Sequence, residues 1–371
     1  MIARRIAALL FLPMMLAFGS GVYLYLGTLK SKVVKTPAKK PTATKPEHVL
    51  PGTMFVVQDG RLFKLNNGSF TEIGPAGDWS QPALTPDHTH LVAVLRGSLS
   101  SDLYLLDLNG QVIKRLTKND SRYVQLNHWA FYPRVSPDGS TLFYSYDGPK
   151  HVDAAPGDDL SVWSMPLNGS QYQGRRRTDP YWYTGGDASP IPLSATAFLF
   201  VQHSIDQSTA VHSQIRLQSR LGDLVGKPLT NLADDCSQPA LSPDGTQLAM
   251  ICTGGKQTAR LEVASFNGTT LGPPRILLDG GLYAAPAWSP DGQALAYYAP
   301  SGGAGHFELW WLAVPPVVVA TPTPTATATP AHSPSSGGAS SIVVPTLPPT
   351  PVPVQVTQGV DLSATSPPAW Y

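Results

Sequence analysis

Past residue 50 the apolar positions come in short runs that break at the same kind of place. Four segments align: "SQPALTPDHTHLVAVL" from Ser80, "FYPRVSPDGSTLFYSY" from Phe131, "SQPALSPDGTQLAMIC" from Ser237 and "AAPAWSPDGQALAYYA" from Ala284. Each holds a short apolar piece containing proline, then Ser/Thr-Pro-Asp-(Gly), then a second apolar run. The break is a turn. Proline presets φ, aspartate bonds back to nearby backbone, and glycine takes the left-handed conformation that closes a bulged hairpin. His88 replaces that glycine in the first copy, which predicts a looser turn there.

A second hairpin follows. "SDLYLLDLNGQVIKRLT" from Ser101, "DLSVWSMPLNGSQYQGRRRT" from Asp159 and "ARLEVASFNGTTLGPPRILL" from Ala259 each turn on Asn-Gly. One unit is therefore four antiparallel strands in roughly 40–50 residues. Runs such as "LVAVL" and "LFYSY" have no polar side, so both faces must be covered. Blades stacked around an axis cover them; a sandwich would expose one face and show alternation. The pattern predicts a β-propeller. Leu-Thr closing one unit and Ser-Pro-Asp-Gly inside the next, as in "PLTNLADDCSQPALSPDG", resembles the WD-type repeats of the TolB-like propeller family. The resemblance covers nearly all of residues 51–314. It implies a six-bladed ring and an exported scaffold that binds partner proteins. It says little about activity, because the motif builds turns and packing.

Inner strands should open near Ser80, Phe131, Ser189, Ser237 and Ala284. The copy at Ser189, "SPIPLSATAFLFVQHS", lacks Pro-Asp-Gly but keeps the lengths. Residues Thr53–Ile73 supply three strands and no inner one, while the unit ending "HFELWWLAV" lacks an outer strand. "VPVQVTQG" at Val352–Gly359 has the form of that outer strand, and "DLSATSPPAWY" at Asp361–Tyr371 that of the missing inner one. The expectation is an all-β, six-bladed propeller of four-stranded antiparallel blades, closed by C-terminal strands joining the N-terminal blade. Trp370 and Tyr371 then belong to the core. The domain plan is a signal anchor at 1–29, a Lys/Thr/Pro-rich linker at 30–50, the propeller at 51–314, a disordered Thr/Pro-rich insertion at 315–350 and closing strands at 351–371.

Composition agrees with many short strands: 33 Gly, 37 Pro, and 21 of the 25 acids are Asp, a residue of turns and caps. The net charge of +1 hides a division, since the first 48 residues hold eight Lys/Arg and one acid. The remaining 18 basic and 24 acidic side chains argue against a nucleic-acid surface. Ile6–Leu29 is apolar and, as a helix, spans about 36 Å, enough for a bilayer. An uncleaved anchor is preferred to a cleaved signal peptide ending at "AFG" (Ala17–Gly19) because the apolar run continues through "VYLYLGTL". The lysines of the spacer count toward a cytoplasmic domain under the positive-inside rule. The signal-like start and the extended spacer count toward export, the orientation adopted: a single-pass membrane protein with its propeller outside the cytoplasm.

No hydrolase elbow, zinc motif, phosphate loop or Cys/His metal spacing appears, so no catalytic residue, metal or cofactor is assigned. The expected binding face is the one made by connections into the inner strands. There we place the aromatic and histidine residues Trp79, Tyr123, His128, Trp129, Tyr181, Trp182, Tyr183 and Tyr283, with Asp78, Asp187, Asp234, Asp235 and Asp361 nearby. Aromatics beside carboxylates suit gripping peptides or stacking on sugars. Asp78, Asp187, Asp235 and Asp361 recur at one repeat position and are assigned to their own turns. "RRR" at Arg175–Arg177 should protect an outer edge. The function expected is a monomeric, non-catalytic module that binds a protein or cell-envelope polymer. The alternative is a carbohydrate-binding or carbohydrate-active propeller whose converging acids would leave no sequence mark. Counting outward from the Ser242/Thr246 turn pairs Ala240 with Leu248, Gln238 with Met250 and Cys236 with Cys252, which predicts a disulfide. Two buried free thiols are the competing expectation.

Overall fold

The computed structural model describes residues 49–148, 159–181, 183–301, 305–315 and 351–371. The expected anchor and spacer, the insertion beyond Pro315, most of the connection after Asp147, and Trp182 lie outside the described residues. Among the described residues no helix is long and apolar enough to cross a membrane.

The described strands form six antiparallel sheets of four. Blade 1 takes β1 (Thr53–Gln58), β2 (Arg61–Asn66) and β3 (Ser69–Ile73). Blade 2 is β4 (Asp78–Leu84), β5 (His90–Arg96), β6 (Ser101–Asp107) and β7 (Val112–Arg115). Blade 3 is β8 (Ala130–Val135), β9 (Thr141–Tyr146), β10 (Ser161–Pro166) and β11 (Arg175–Arg176), so the arginines do form an outer strand. Blade 4 is β12 (Asp187–Pro192), β13 (Phe198–Ile205), β14 (Val211–Gln218) and β15 (Lys227–Pro228). Blade 5 is β16 (Cys236–Leu241), β17 (Gln247–Cys252), β18 (Ala259–Ser265) and β19 (Arg275–Gly281). Blade 6 is β20 (Ala284–Trp288), β21 (Ala294–Pro300), β22 (Phe307–Ala313) and β23 (Val354–Gln355). The last strand, β24 (Ala369–Trp370), pairs with β1 and completes blade 1.

The two-sided apolar runs behave as their composition demands. In β5, Leu91 and Ala93 pack toward blade 1, whereas Val92 and Val94 pack toward blade 3. Alternate side chains thus leave opposite faces of the strand, and a neighbouring blade covers each.

The four Ser/Thr-Pro-Asp turns are nearly superposable in their bonding. Thr85, Ser136, Ser242 and Ser289 each donate a hydroxyl to the aspartate two residues on, at 2.5–2.6 Å. The same aspartates accept a backbone N–H from Thr89, Ser140, Thr246 and Gln293. These bonds hold the carboxylates of Asp87, Asp138, Asp244 and Asp291 below the usual range. The turn at His88 is not looser. His88 adopts φ +55° and keeps the turn bond, its N–H donating to Thr85 at 2.9 Å. A non-glycine residue is simply held in the left-handed region.

A second feature escaped counting. The residue before proline in five inner strands, Gln81, Tyr132, Ser189, Gln238 and Ala285, has φ between 49° and 53°. Each marks a bulge at which the register slips. In blade 5 the correct pairs are therefore Leu241 with Leu248 and Ala240 with Ala249. The count from the turn begins one residue out, and the bulge at Gln238–Pro239 restores the phase. Cys236 does oppose Cys252, with Cα atoms 4.0 Å apart and a disulfide between them.

Closure uses more than β24. Leu362 bridges Gln58, Ser363 donates its N–H to the Val57 carbonyl, and Thr53 and Tyr371 exchange two backbone bonds. Between these contacts Ala364–Pro368 loops out where the other inner strands bulge. The buried Ser366 hydroxyl there accepts the Gln81 N–H at 2.7 Å. Tyr371 stacks on the Phe55 ring at 6.1 Å.

Candidate site in the central channel

The five bulges and the Ala364–Pro368 loop of blade 1 lie around one cavity. Its volume is about 450 Å³, and residues of every blade line it. Prolines dominate the wall: Pro82, Pro190, Pro239, Pro286, Pro367 and Pro368. Between them stand Tyr132, Trp288, Trp370 and Tyr371. The lining also includes His88, Pro243 and Pro290 from the Ser/Thr-Pro-Asp turns. The cavity therefore occupies the turn end of the inner strands.

Neighbouring blades are joined around it by side chains that satisfy bulge N–H groups. The Gln81 carboxamide oxygen accepts from Tyr132 N–H at 2.7 Å, and that of Gln238 accepts from Ala285 N–H at 2.6 Å. With Ser366 accepting from Gln81, three of the blade junctions carry the same device. Tyr132 and Ser189 hold the equivalent positions in blades 3 and 4.

The residue after each bulge proline also faces the channel. It is Ala83, Ala240, Ala287 and Ala369 in four blades and Ile191 in another. In blade 3 it is Arg134. Its guanidinium donates to the neighbouring Pro133 carbonyl at 3.0 Å. No aspartate or glutamate lines the cavity, and no ion pair involves Arg134 among the described residues. The side chain is surrounded by protein and is only partly accessible. Burial draws the guanidinium down to about 10, so it remains charged at neutral pH.

The aromatic residues expected to form a binding face lie at the other end of the inner strands. Trp79 is not on a face at all: it is 1% exposed, belongs to the core, and donates its indole N–H to Pro75. His128 is half-buried, 3.0 Å from the Asp147 carboxylate and against Tyr146. Trp129 is half-buried on Phe131, and Tyr283 packs edge-on against Tyr297. Tyr123, Tyr181 and Tyr183 are exposed. Among the described residues no ring contact gathers these aromatics into one cluster.

The recurring aspartates do not bond their own turns. Asp78 pairs with Arg96 across the strand, and Asp361 with His306. Asp235 accepts from Ser213 N–H in blade 4 and from the Thr253 hydroxyl. Asp187 is fully buried, and neither oxygen accepts a bond of ordinary geometry, although Thr178 and Gln202 lie beside it. Burial pushes its carboxyl up to about 7.

Arg134 was missed because it lies in the aligned repeat but outside the Ser-Pro-Asp-Gly signature. One signal was present: in the column after the inner-strand proline, five residues are small or apolar and one is charged.

No family model and no curated protein matches the chain. Solved structures do. TolB from Acinetobacter baumannii superposes with a TM-score of 0.51 at 20% identity, over 72% of this chain and 62% of that one. The chain thus spans less than two thirds of that TolB. A Mycobacterium tuberculosis puromycin-hydrolyzing peptidase gives 0.49 at 15% identity, over 74% of this chain and 42% of the peptidase. The likeness is one of fold: the architecture is a TolB-like six-bladed propeller.

Proposed function

We propose that the protein is a membrane-tethered, extracytoplasmic interaction module without catalysis, which receives a segment of a partner protein in its central channel. The observation that carries this reading is the channel itself. Its wall offers ring faces, prolines and one cation, a set that binds and orients an apolar chain. The disulfide between Cys236 and Cys252 favours an oxidising compartment. The apolar segment Ile6–Leu29 supplies the tether.

Photocrosslinking in the native envelope tests the binding role. A photoreactive side chain replacing Trp370 should capture a protein, whereas the same group at Tyr172, which is 97% exposed, should not. Equal capture from both positions, or none from either, sinks the channel as the receiving site. Hydrolysis of envelope glycans or peptides by the purified chain would overturn the non-catalytic reading. Two reactive thiols in the denatured, unreduced native protein would overturn the extracytoplasmic one.

A further inference from the structure

We propose that Arg134 anchors a carboxylate of the peptide segment that enters the central channel from the turn end. This deepens the interaction-module reading and rests on it. The repeats make the case. Blade 3 could hold alanine at this position, as four sister blades do, and its fold asks for nothing more. A cation placed among prolines and alanines loses hydration and gains nothing unless an anion meets it. Within this chain the guanidinium finds one carbonyl and no carboxylate among the described residues.

The occupant is a segment of another protein. Residues 316–350 contain no Asp or Glu, so the chain's own Thr/Pro-rich insertion cannot supply the charge. Residues 1–48 contain only Glu47, and residues 149–158 contain Asp153 and Asp158, on the connection that leaves β9 at the end away from the Ser-Pro-Asp turn. A nucleic acid or other polyanion needs several cations along its path, and the lining has one arginine. A glycan needs many hydrogen-bonding groups for its hydroxyls, whereas this wall is mostly proline, alanine and aromatic rings. What fits is a short apolar stretch with one negative group, from an acidic side chain or a chain terminus. The guanidinium can bind either carboxylate through two parallel N–H bonds.

The test uses the full chain in detergent and fluorescein-labelled peptides of the form Phe-Pro-X-Pro-Phe. X is Glu, Gln or Lys with an amidated end, and the Gln peptide is also made with a free carboxyl end. The Glu probe should bind at least about tenfold more tightly than the Gln and Lys probes. Arg134→Ala should abolish that preference, and Arg134→Lys should keep part of it. If the free-ended Gln probe equals the Glu probe, the recognised carboxylate is a chain terminus. Arg134→Ala restores the residue of the sister blades, so its melting temperature should not fall, and folding does not confound the result. Glu and amidated Gln probes binding alike would overturn the assignment while leaving the channel as a binding site. No binding by any probe would remove both. Tighter binding of the Glu probe by Glu47→Gln, or by Asp153→Asn combined with Asp158→Asn, would also overturn it, showing that the chain occupies its own channel.

Discussion

Blades 3 and 5 share one template and differ where they meet the axis. In blade 5 the bulge residue Gln238 satisfies the Ala285 N–H, alanine follows the proline, and a disulfide joins the inner strand to its neighbour. In blade 3 the bulge residue is Tyr132, the next channel residue is Arg134, and Ala130 opposes Tyr146 where blade 5 has its cysteines. Blade 5 uses its inner strand to hold the ring; blade 3 turns larger groups into the cavity, one of them a cation with no carboxylate partner among the described residues. A repeat protein reveals its working residues where one copy departs from the others without a structural gain.

If inner strands carry the ring, removing one is the most severe perturbation. Deleting Val352–Tyr371 takes away β23, β24 and the Ser366 acceptor, leaving two open sheet edges. The expected outcome in a thermal melt is loss of the cooperative transition or a fall of more than about 10 °C. Deleting Ala320–Gly338 should move it by no more than about 2 °C. Equal, mild effects would mean that the ring is not closed by its last strands.

Asp187, the first residue of β12, and Asp235, the residue before β16, hold one repeat position, yet only Asp235 accepts bonds of ordinary geometry. The Asp187 carboxyl is raised to about 7 from 3.8, so its contribution to stability is fully present below pH 3.8. It is lost as pH rises through about 7, because the unfolded state gives up the proton first. Asp187→Asn should therefore stabilise the protein at pH 8 by at most about 4 kcal/mol, with the advantage shrinking toward pH 4. Denaturant titrations at the two pH values check this. A variant equally affected at both would show that Asp187 is ionised in the fold.

Much of this architecture was legible. The turn chemistry of Ser/Thr-Pro-Asp-Gly, the two-sided apolar runs and the split first blade are written in local sequence. The bulge was not, because a left-handed residue before proline is disfavoured by local chemistry, and at Gln81, Tyr132 and Ala285 its N–H is met by a side chain of the neighbouring blade. The cavity was not legible for the same reason: its position depends on where the bulges turn the chain. Trp79 illustrates the converse error. An aromatic at the start of an inner strand reads the same whether the strand faces solvent or core, and only packing against Leu91 and Tyr104 decides.

Gln238 sharpens the contrast between blades on a smaller scale. Gln238→Ala strips the acceptor from Ala285 N–H and should cost about 1–2 kcal/mol in chemical denaturation. Tyr132→Ala removes no equivalent side-chain cap, so its loss should appear in binding of the acidic probe more than in stability. If the two variants exchange these phenotypes, blade 3 is the structural one.

The smallest effect concerns His88, the one Ser/Thr-Pro-Asp turn without glycine. Its ring lies 5.2 Å from that of Tyr371 at the cavity wall, and its backbone stays at φ +55°. His88→Gly relieves about 1 kcal/mol of left-handed strain but loosens the unfolded chain by nearly as much and gives up the ring contact. Stability should therefore change by less than about 0.5 kcal/mol. Retaining a strained histidine where glycine would serve makes sense if the ring helps form the cavity mouth. Probe affinity should then fall about two- to fivefold in the same variant. An unchanged affinity together with a stability loss above about 1 kcal/mol would make His88 a packing residue for Tyr371.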